Sequence, residues 1–278
     1  MEVSGKKIII WCGAAPNQKA LAVKISKEFP VVAIVIDEKP GGKSKRRLSD
    51  YPSLILDRLR FRKIYNAWKG LMQFYTNRFT EWPDVPVLRV AGINQPDVIS
   101  FSEKFKPDLI VVSGTALIKS PVLKTESSIG MINLHTGLSP YVKGGPNCTN
   151  WCIANNDWHL VGNTIMWLNA GIDAGNIIAS ETTDIRHANT IGEAHIRVMD
   201  HAHDLYLRCI RYLLSASPPF QSIPQNTIAK GSLYLTKMWN REKRNLLLRN
   251  WKNRHAVNTK EKPVTISLPD YNSSLKHE

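Results

Sequence analysis

An asparagine and a histidine stand two residues apart in a segment whose side chains alternate as they do in a β-strand, Met131-Ile132-Asn133-Leu134-His135. Because successive side chains of a strand point to opposite faces, Asn133 and His135 point the same way. A carboxamide N–H can stabilise an oxyanion, and an imidazole can stabilise charge or move a proton. The pair therefore suits a reaction at a carbonyl carbon, although the same two residues could simply cap the end of a strand.

Such a histidine needs a third group to hold its ring, and a carboxylate serves this purpose best. Asp173 is the leading candidate, because it lies in a turn flanked by Gly171 and Gly175 that follows the next predicted strand. We expect Asn133, His135 and Asp173 to act together.

The elements around these residues predict an α/β protein with a doubly wound, mostly parallel sheet. A strand at Lys6–Cys12, a helix at Asn17–Phe29 and a strand at Val31–Ile36 form an opening βαβ unit. Active sites of such sheets lie at the carboxyl ends of the strands, where Asn133 and His135 fall. A Gly-x-Gly-x-x-Gly fingerprint does not follow the first strand, so a dinucleotide site is not expected. The other predicted elements are strands at Val87–Val90, Leu109–Ser113, Met131–Leu134, Thr164–Leu168 and Asn176–Ser180, and helices at Asp57–Phe79, Pro96–Phe105 and Thr190–Ser215.

The last long helix is broken by Pro218-Pro219, and beyond Gln221 the pattern degrades into short pieces. We therefore expect a catalytic domain over residues 1–215 and a small basic C-terminal region with a tail over residues 216–278. A chain of 278 residues is long enough for this arrangement.

The net charge of +14 attracts phosphate groups. Nucleic acid and a phosphorylated small molecule are both compatible with it. The basic stretch Lys39–Lys63 reads either as a solvated loop leading into a helix or as a patch that attracts phosphate near a site. The second interpretation predicts that Lys or Arg from Lys43–Arg62 contacts the phosphate of a substrate.

We expect a cytoplasmic protein with no membrane segment. Its apolar runs are far shorter than the roughly 20 residues that span a bilayer, and the N-terminus lacks the pattern of a secretion signal. Cys148 and Cys152 are interpreted as reduced, apolar core residues, since His159 is the only further metal ligand nearby. No metal is expected.

A family resemblance rests on two blocks. Asn133-Leu134-His135, followed by Leu138, Pro140 and Gly144, resembles the Asn-x-His-x-x-Leu-x-Pro-x-x-x-Gly motif of the folate-dependent formyltransferases. The segments Gly162–Met166 and Gly171–Ile178 resemble the second block of that family, with its Asp-x-Gly loop. The resemblance covers roughly residues 95 to 200. It departs from the family pattern at Ser139 and Lys119, outside the three candidate residues.

The resemblance implies a Rossmann-like formyltransferase fold and 10-formyltetrahydrofolate as the formyl donor. An acceptor amine would attack the formyl carbon, Asn133 and His135 would stabilise the oxyanion, and Asp173 would orient His135 and help to remove the amine proton. The folate ring would lie against main-chain groups of Leu117, Ile118, Gly171, Ile172, Asp173, Ala174 and Gly175. No metal is implied.

The acceptor is less constrained. Trp151–Asp157 resembles the Trp-x-Ile-x-Asn-x-acidic run of formyltransferases that act on nucleotide-linked amino sugars, and we favour such an acceptor. Methionyl-tRNA formyltransferases carry a C-terminal barrel of about 100 residues, and the residues after Pro218-Pro219 lack its alternating strands. The basic stretch Lys237–Arg254 nevertheless favours tRNA.

Glycinamide ribonucleotide, hydrolysis of the folate by water, and a non-catalytic nucleic-acid-binding module are further alternatives. A homodimer is compatible with all of these interpretations.

Overall fold

Short runs of β-branched and other apolar residues form the strands of this computed structural model, which describes residues 5–38, 51–145, 147–256 and 261–269. The basic residues Lys43, Lys45, Arg46 and Arg47 lie outside the described residues. The strands are β1 (Ile8–Gly13), β2 (Val31–Asp37), β3 (Val87–Val90), β4 (Leu109–Ser113), β5 (Gly130–His135), β6 (Val142–Gly144), β7 (Gly162–Trp167), β8 (Ile177–Thr182) and β9 (Ser232–Tyr234).

Seven of these strands make one sheet in the order β3-β2-β1-β4-β5-β7-β8. The first five run parallel to one another, whereas β7 is antiparallel to β5 and β8 is antiparallel to β7. Side chains on β1, β4 and β5 are almost all buried, as expected for parallel strands that are covered on both faces. The predicted α/β, mostly parallel sheet is confirmed.

Helices cover both faces of the sheet. They are α1 (Pro16–Glu28), α2 (Tyr51–Arg60), α3 (Arg62–Arg78), α4 (Pro96–Glu103), α5 (Cys148–Ala154), α6 (Ile191–Ser215) and α7 (Arg241–Lys252). The segment Asp57–Phe79, predicted as part of a single helix, belongs to two helices that meet at Phe61. Phe61 departs from helical geometry, with a φ of −101° and a ψ of 22°, and its ring is fully buried at this junction.

The region after Pro219 packs against the sheet domain instead of extending from it. Strand β9 pairs in parallel with β6, and α7 packs on α5 with Leu247 and Trp251 buried. The prediction of short pieces missed α7, because its apolar residues are one run of three leucines, Leu246–Leu248, and Trp251 in a stretch otherwise made of charged residues and Asn. The domain boundary at residue 215 stays a prediction.

Within the parts of the chain that the structure describes, every helix is too short or too polar to serve as a membrane span. The cytoplasmic location stays a prediction.

Candidate active site

The carboxyl ends of β4 and β5 open into a cleft of about 690 Å³. One wall is the loop that follows β4, the opposite wall is the loop between β7 and β8, and the outer rim is formed by residues next to β6 and β9. Its lining includes the predicted residues Leu117, Ile118, Asn133, Gly171, Ile172, Asp173, Ala174 and Gly175. A volume of this size accommodates a drug-sized organic ligand.

His135 lies behind this lining. Its side chain is 8% exposed, and it reaches the cleft through Asp173, whose Oδ2 atom is 3.4 Å from His135 Nδ1. The structure therefore brings the three candidate residues together, with Asn133 and Asp173 facing the cleft and His135 supporting Asp173.

The turn that carries Asp173 has an unusual backbone. Asp173 has a φ of +46°, a left-handed conformation that aspartate tolerates better than most residues. Its Oδ2 atom accepts a hydrogen bond of 2.9 Å from the backbone N–H of Gly144. Gly144 has a φ of +85°, and a Cβ atom there would collide with the carbonyl oxygen of Tyr234. Only glycine fits this position, which accounts for the last residue of the sequence motif.

Both ring nitrogens of His135 face acceptors. Nε2 lies 3.1 Å from the carbonyl oxygen of Val142 and 3.6 Å from the sulfur of Cys148, while Nδ1 faces Asp173. Burial alone would lower the pKa of His135, but Asp173, Cys148 and the Val142 carbonyl together raise it to about 9. A ring with this pKa would carry a proton near neutral pH and face the Asp173 carboxylate as a cation.

Two residues that the sequence analysis did not single out hold the loop after β4. The buried carboxylate of Asp37 accepts a 3.1 Å hydrogen bond from the N–H of Ala116. The Asn94 side chain donates to the carbonyl of Leu117 at 2.9 Å and accepts from the N–H of Lys119 at 2.7 Å. The only signal in the sequence for Asp37 was its position at the end of a strand, and Asn94 gave no signal.

The C-terminal region supplies the rim of the cleft through Tyr234, Leu235 and Thr236. The Tyr234 ring stacks on Trp151 with 4.5 Å between centroids and an interplanar angle of 18°, and its hydroxyl accepts a hydrogen bond from Asn155. The Trp151–Asp157 run therefore supports the rim from behind. The sequence analysis did not predict that Tyr234, Leu235 and Thr236 form the rim. They are far from the other lining residues in sequence and reach the cleft only because β9 pairs with β6.

Cysteine and histidine side chains away from the cleft have structural surroundings. Cys152 is buried and donates to the carbonyl of Leu160, while Nε2 of His195 donates to the side-chain oxygen of Asn150 inside the core. Burial lowers the pKa of His195 to about 4, so it is neutral. His201 bridges Glu181 and Thr183. In the ranges that the structure describes, no cluster of three or more His, Cys, Asp or Glu could hold a metal ion.

This arrangement offers an amide, a carboxylate and a buried imidazole beside one cleft whose lining is part polar and part apolar. The residues Leu117 and Ile172 line it and are 40% and 43% exposed, so a planar ring bound there would cover apolar surface. Such a site suits attack of a neutral nucleophile on a carbonyl group, with charge developing near Asn133.

Comparison with known proteins agrees with this chemistry. The sequence profile of the formyl transferase family matches residues 6–210, and the chain belongs to that family. Among curated relatives, the methionyl-tRNA formyltransferase of Syntrophus aciditrophicus is 33% identical over 135 residues, which are 49% of this chain and 43% of the relative. That of Clostridium beijerinckii is 32% identical over 191 residues, which are 67% of this chain and 53% of the relative. The chain thus spans about half the length of the curated relatives it matches.

Solved structures share the fold. The N-formyltransferase of Helicobacter canadensis, crystallised with folinic acid and dTDP-3-aminofucose, superposes with a TM-score of 0.55 at 16% identity, over 89% of this chain and 81% of that one. Glycinamide ribonucleotide transformylase 1 of Symbiobacterium toebii gives a TM-score of 0.53 at 14% identity, over 79% and 93% of the two chains.

Proposed function

We propose that this protein transfers a formyl group from 10-formyltetrahydrofolate to a primary amine. The observation that carries the proposal is the cleft in which Asn133 and Asp173 face the same space while His135 supports Asp173 from behind. Membership of the formyl transferase family supplies the reaction and the donor. The apolar side chains of Leu117 and Ile172, together with the main chain of residues 171–175, fit the ring of the donor.

Each residue has a distinct role in this proposal. The amine nitrogen bonds to the formyl carbon, and the Asn133 amide donates to the oxygen that becomes negatively charged. The His135 imidazolium adds a positive charge close to the site. Both His135 and Gly144 contact Oδ2 of Asp173, so Oδ1 is the oxygen that accepts the proton from the amine. The carbon–nitrogen bond to the donor then breaks, and the released nitrogen takes the proton that Asp173 accepted.

For the acceptor we favour a nucleotide-linked amino sugar. The Trp151–Asp157 run, which led to this interpretation, lies directly behind Tyr234 on the rim. Two lysines lie next to rim residues in the sequence: Lys143 precedes Gly144, and Lys237 follows Thr236. A phosphorylated acceptor matches that charge.

Methionyl-tRNA is the second candidate acceptor. The curated relatives named above act on this substrate according to their names, and they share more sequence with this chain than the solved structures do. The exposed cations of α7 also suit a nucleic acid. Part of the positive charge of α7 is neutralised within the protein, since Arg241 and Arg244 form ion pairs with Asp57 on α2.

The discriminating experiment measures tetrahydrofolate release from 10-formyltetrahydrofolate with no amine, with dTDP-linked amino sugars, with methionyl-tRNA and with glycinamide ribonucleotide. We expect release to depend on an amine and to be fastest with an amino-sugar nucleotide. Equal release without any amine would identify a hydrolase and overturn the transfer proposal. Fastest release with methionyl-tRNA would keep the reaction and change the acceptor.

A further inference from the structure

Gln225 lies beyond the family match, yet its side chain touches the turn that carries Asp173. The Gln225 Nε2 atom donates one hydrogen bond to the carbonyl of Asp173 and another to the carbonyl of Gly175, both of 2.8 Å. The residue is 8% exposed and stands at the start of a 3-10 turn at Gln225–Thr227. A buried amide that donates both of its protons to one turn holds that turn at two points.

The orientation of this amide follows from its partners. Both partners are carbonyl oxygens, which only accept, so the NH₂ group and not the oxygen of Gln225 must face them. The two bonds hold the carbonyl of the left-handed residue Asp173 and the carbonyl two residues later. A left-handed conformation is costly for an L-amino acid and persists only where surrounding contacts impose it.

Gln225 itself is fixed by its own segment. Ile223 forms an antiparallel bridge with Ile177 at the start of β8, with hydrogen bonds of 2.8 and 3.0 Å in the two directions. Pro224, between Ile223 and Gln225, restricts the backbone further. The Ile223–Ile177 bridge therefore fixes the backbone next to Gln225. If residues 223–225 moved, the Gln225 side chain would move the Asp173 turn with it.

We propose that Gln225 is a positioning residue that sets the place of the Asp173 carboxylate relative to His135 and the Gly144 N–H. This inference rests on the proposed formyl transfer for its catalytic consequence. It also means that the site is completed by the region after residue 215, because residues of the family match alone do not supply the two donors. Misplacement of a catalytic group by about 1 Å can lower turnover about 100-fold.

The same segment provides a matched control. Gln221 donates through its Nε2 atom to the carbonyls of Ile178 at 2.7 Å and of Ser267 at 3.0 Å. It is the same residue type, four positions away, and it also bridges two carbonyl oxygens, but neither of these bonds involves the Asp173 turn. Gln225→Met and Gln221→Met therefore each remove two amide–carbonyl bonds at different places.

The first measurement compares turnover and folinic acid affinity of these two variants. We expect Gln225→Met to lower kcat about 10- to 100-fold, with the affinity for folinic acid changed by less than about three-fold. Gln221→Met should keep kcat within about two-fold of the unmodified protein. Equal kcat for both variants would overturn the positioning role.

A charge variant gives a pH-dependent test. In Gln225→Glu a carboxylate would face two carbonyl oxygens, and protonation would restore one donor. The ratio of its kcat to that of the unmodified protein should therefore rise as the pH falls from about 8 to 5.5. A ratio that does not change with pH would contradict the requirement for donors.

A measurement that does not depend on turnover tests the Gln225 inference separately from the proposed function. NMR titration of the His135 ring should give a lower pKa in Gln225→Met than in Gln221→Met, because the Asp173 carboxylate moves away from the imidazole. If the unmodified protein transfers formyl to no amine, the proposed function fails, and this titration still tests the contact. An unchanged His135 pKa in Gln225→Met would overturn the inference even if formyl transfer is found.

Discussion

The Asp173 carboxylate and the His135 imidazole face each other at 3.4 Å, and the histidine is the more deeply buried of the two. The ring is held on its other side by the carbonyl of Val142. This order, from the core to the cleft, makes His135 the electrostatic support and Asp173 the group that meets a substrate. The sequence alone left open whether the histidine moves a proton, and its raised pKa favours the role of a fixed cation.

Replacing Asp173 by Asn should lower turnover about 100- to 10,000-fold, the range associated with loss of a general base. The amide keeps the size of the side chain but cannot accept the amine proton, and it cannot pair with the imidazolium. Folinic acid affinity, measured by calorimetry, should change only a few-fold. Asp204→Asn, which alters a surface ion pair with Arg208 on α6, is the control and should leave turnover unchanged. Near-normal turnover of Asp173→Asn would exclude Asp173 as the proton acceptor.

Asn133→Ala should lower kcat about 100- to 1000-fold, because it removes the donor to the developing oxyanion. Donor binding should be affected far less, since this interaction is made mainly in the transition state. Asn245→Ala, which removes an exposed contact with Arg60, serves as the control. Combining Asn133→Ala with Asp173→Asn should lower kcat by much less than the product of the single effects. Multiplicative effects would indicate that the two residues act independently.

The buried pair also predicts how stability depends on pH. The pKa of His135 is raised in the folded protein to about 9, above its ordinary value of 6.5. A raised folded-state pKa stabilises the fold fully below the unfolded pKa, and this contribution is lost as the pH rises through about 9. The free energy of unfolding should therefore fall between pH 7 and pH 10 more in the unmodified protein than in His135→Gln. Parallel pH profiles for the two proteins would show that the ring is not charged in the fold.

The sheet was predictable because its strands are short, buried, β-branched runs separated by turn residues, and Val87–Val90 and Leu109–Ser113 were predicted with the bounds that the structure has. The break at Phe61 was not predictable, because the helical periodicity of apolar residues continues through it; Phe61 is buried at the junction like the core residues on either side.

The candidate site likewise contains residues that could be predicted from the sequence and residues that could not. Asn133 and Asp173 stand in recognisable local contexts, so their proximity in the cleft could be anticipated, although their roles remain predictions. Gln225 and Tyr234 could not be anticipated, because neither has a local pattern that points to the cleft. Their placement depends on the Ile223–Ile177 bridge and on the pairing of β9 with β6, contacts between segments that are far apart in sequence.

Gly137 provides the last test, because its position leaves no room for a side chain beside His135. A Cβ atom at Gly137 would overlap His135 Nε2 and lie 2.8 Å from the sulfur of Cys148. Gly137→Ala should therefore displace the ring and lower kcat at least about 10-fold. Gly92→Ala, where a Cβ atom meets nothing within 4 Å, is the control.

Removing the sulfur of Cys148 should reduce the steric crowding between residue 137 and the His135 ring. Cys148→Ala alone should keep kcat within a few-fold of the unmodified protein, since Asp173 and Val142 still hold the ring. In the double variant Gly137→Ala/Cys148→Ala the sulfur is lost, while the Cβ atom of residue 148 still lies 2.9 Å from the position of the new methyl group. A small part of the turnover lost by Gly137→Ala should therefore return. Steady-state kinetics on the four proteins of this cycle provide the measurement. If the double variant is no more active than Gly137→Ala, the contact between Cys148 and the ring does not limit where His135 can lie.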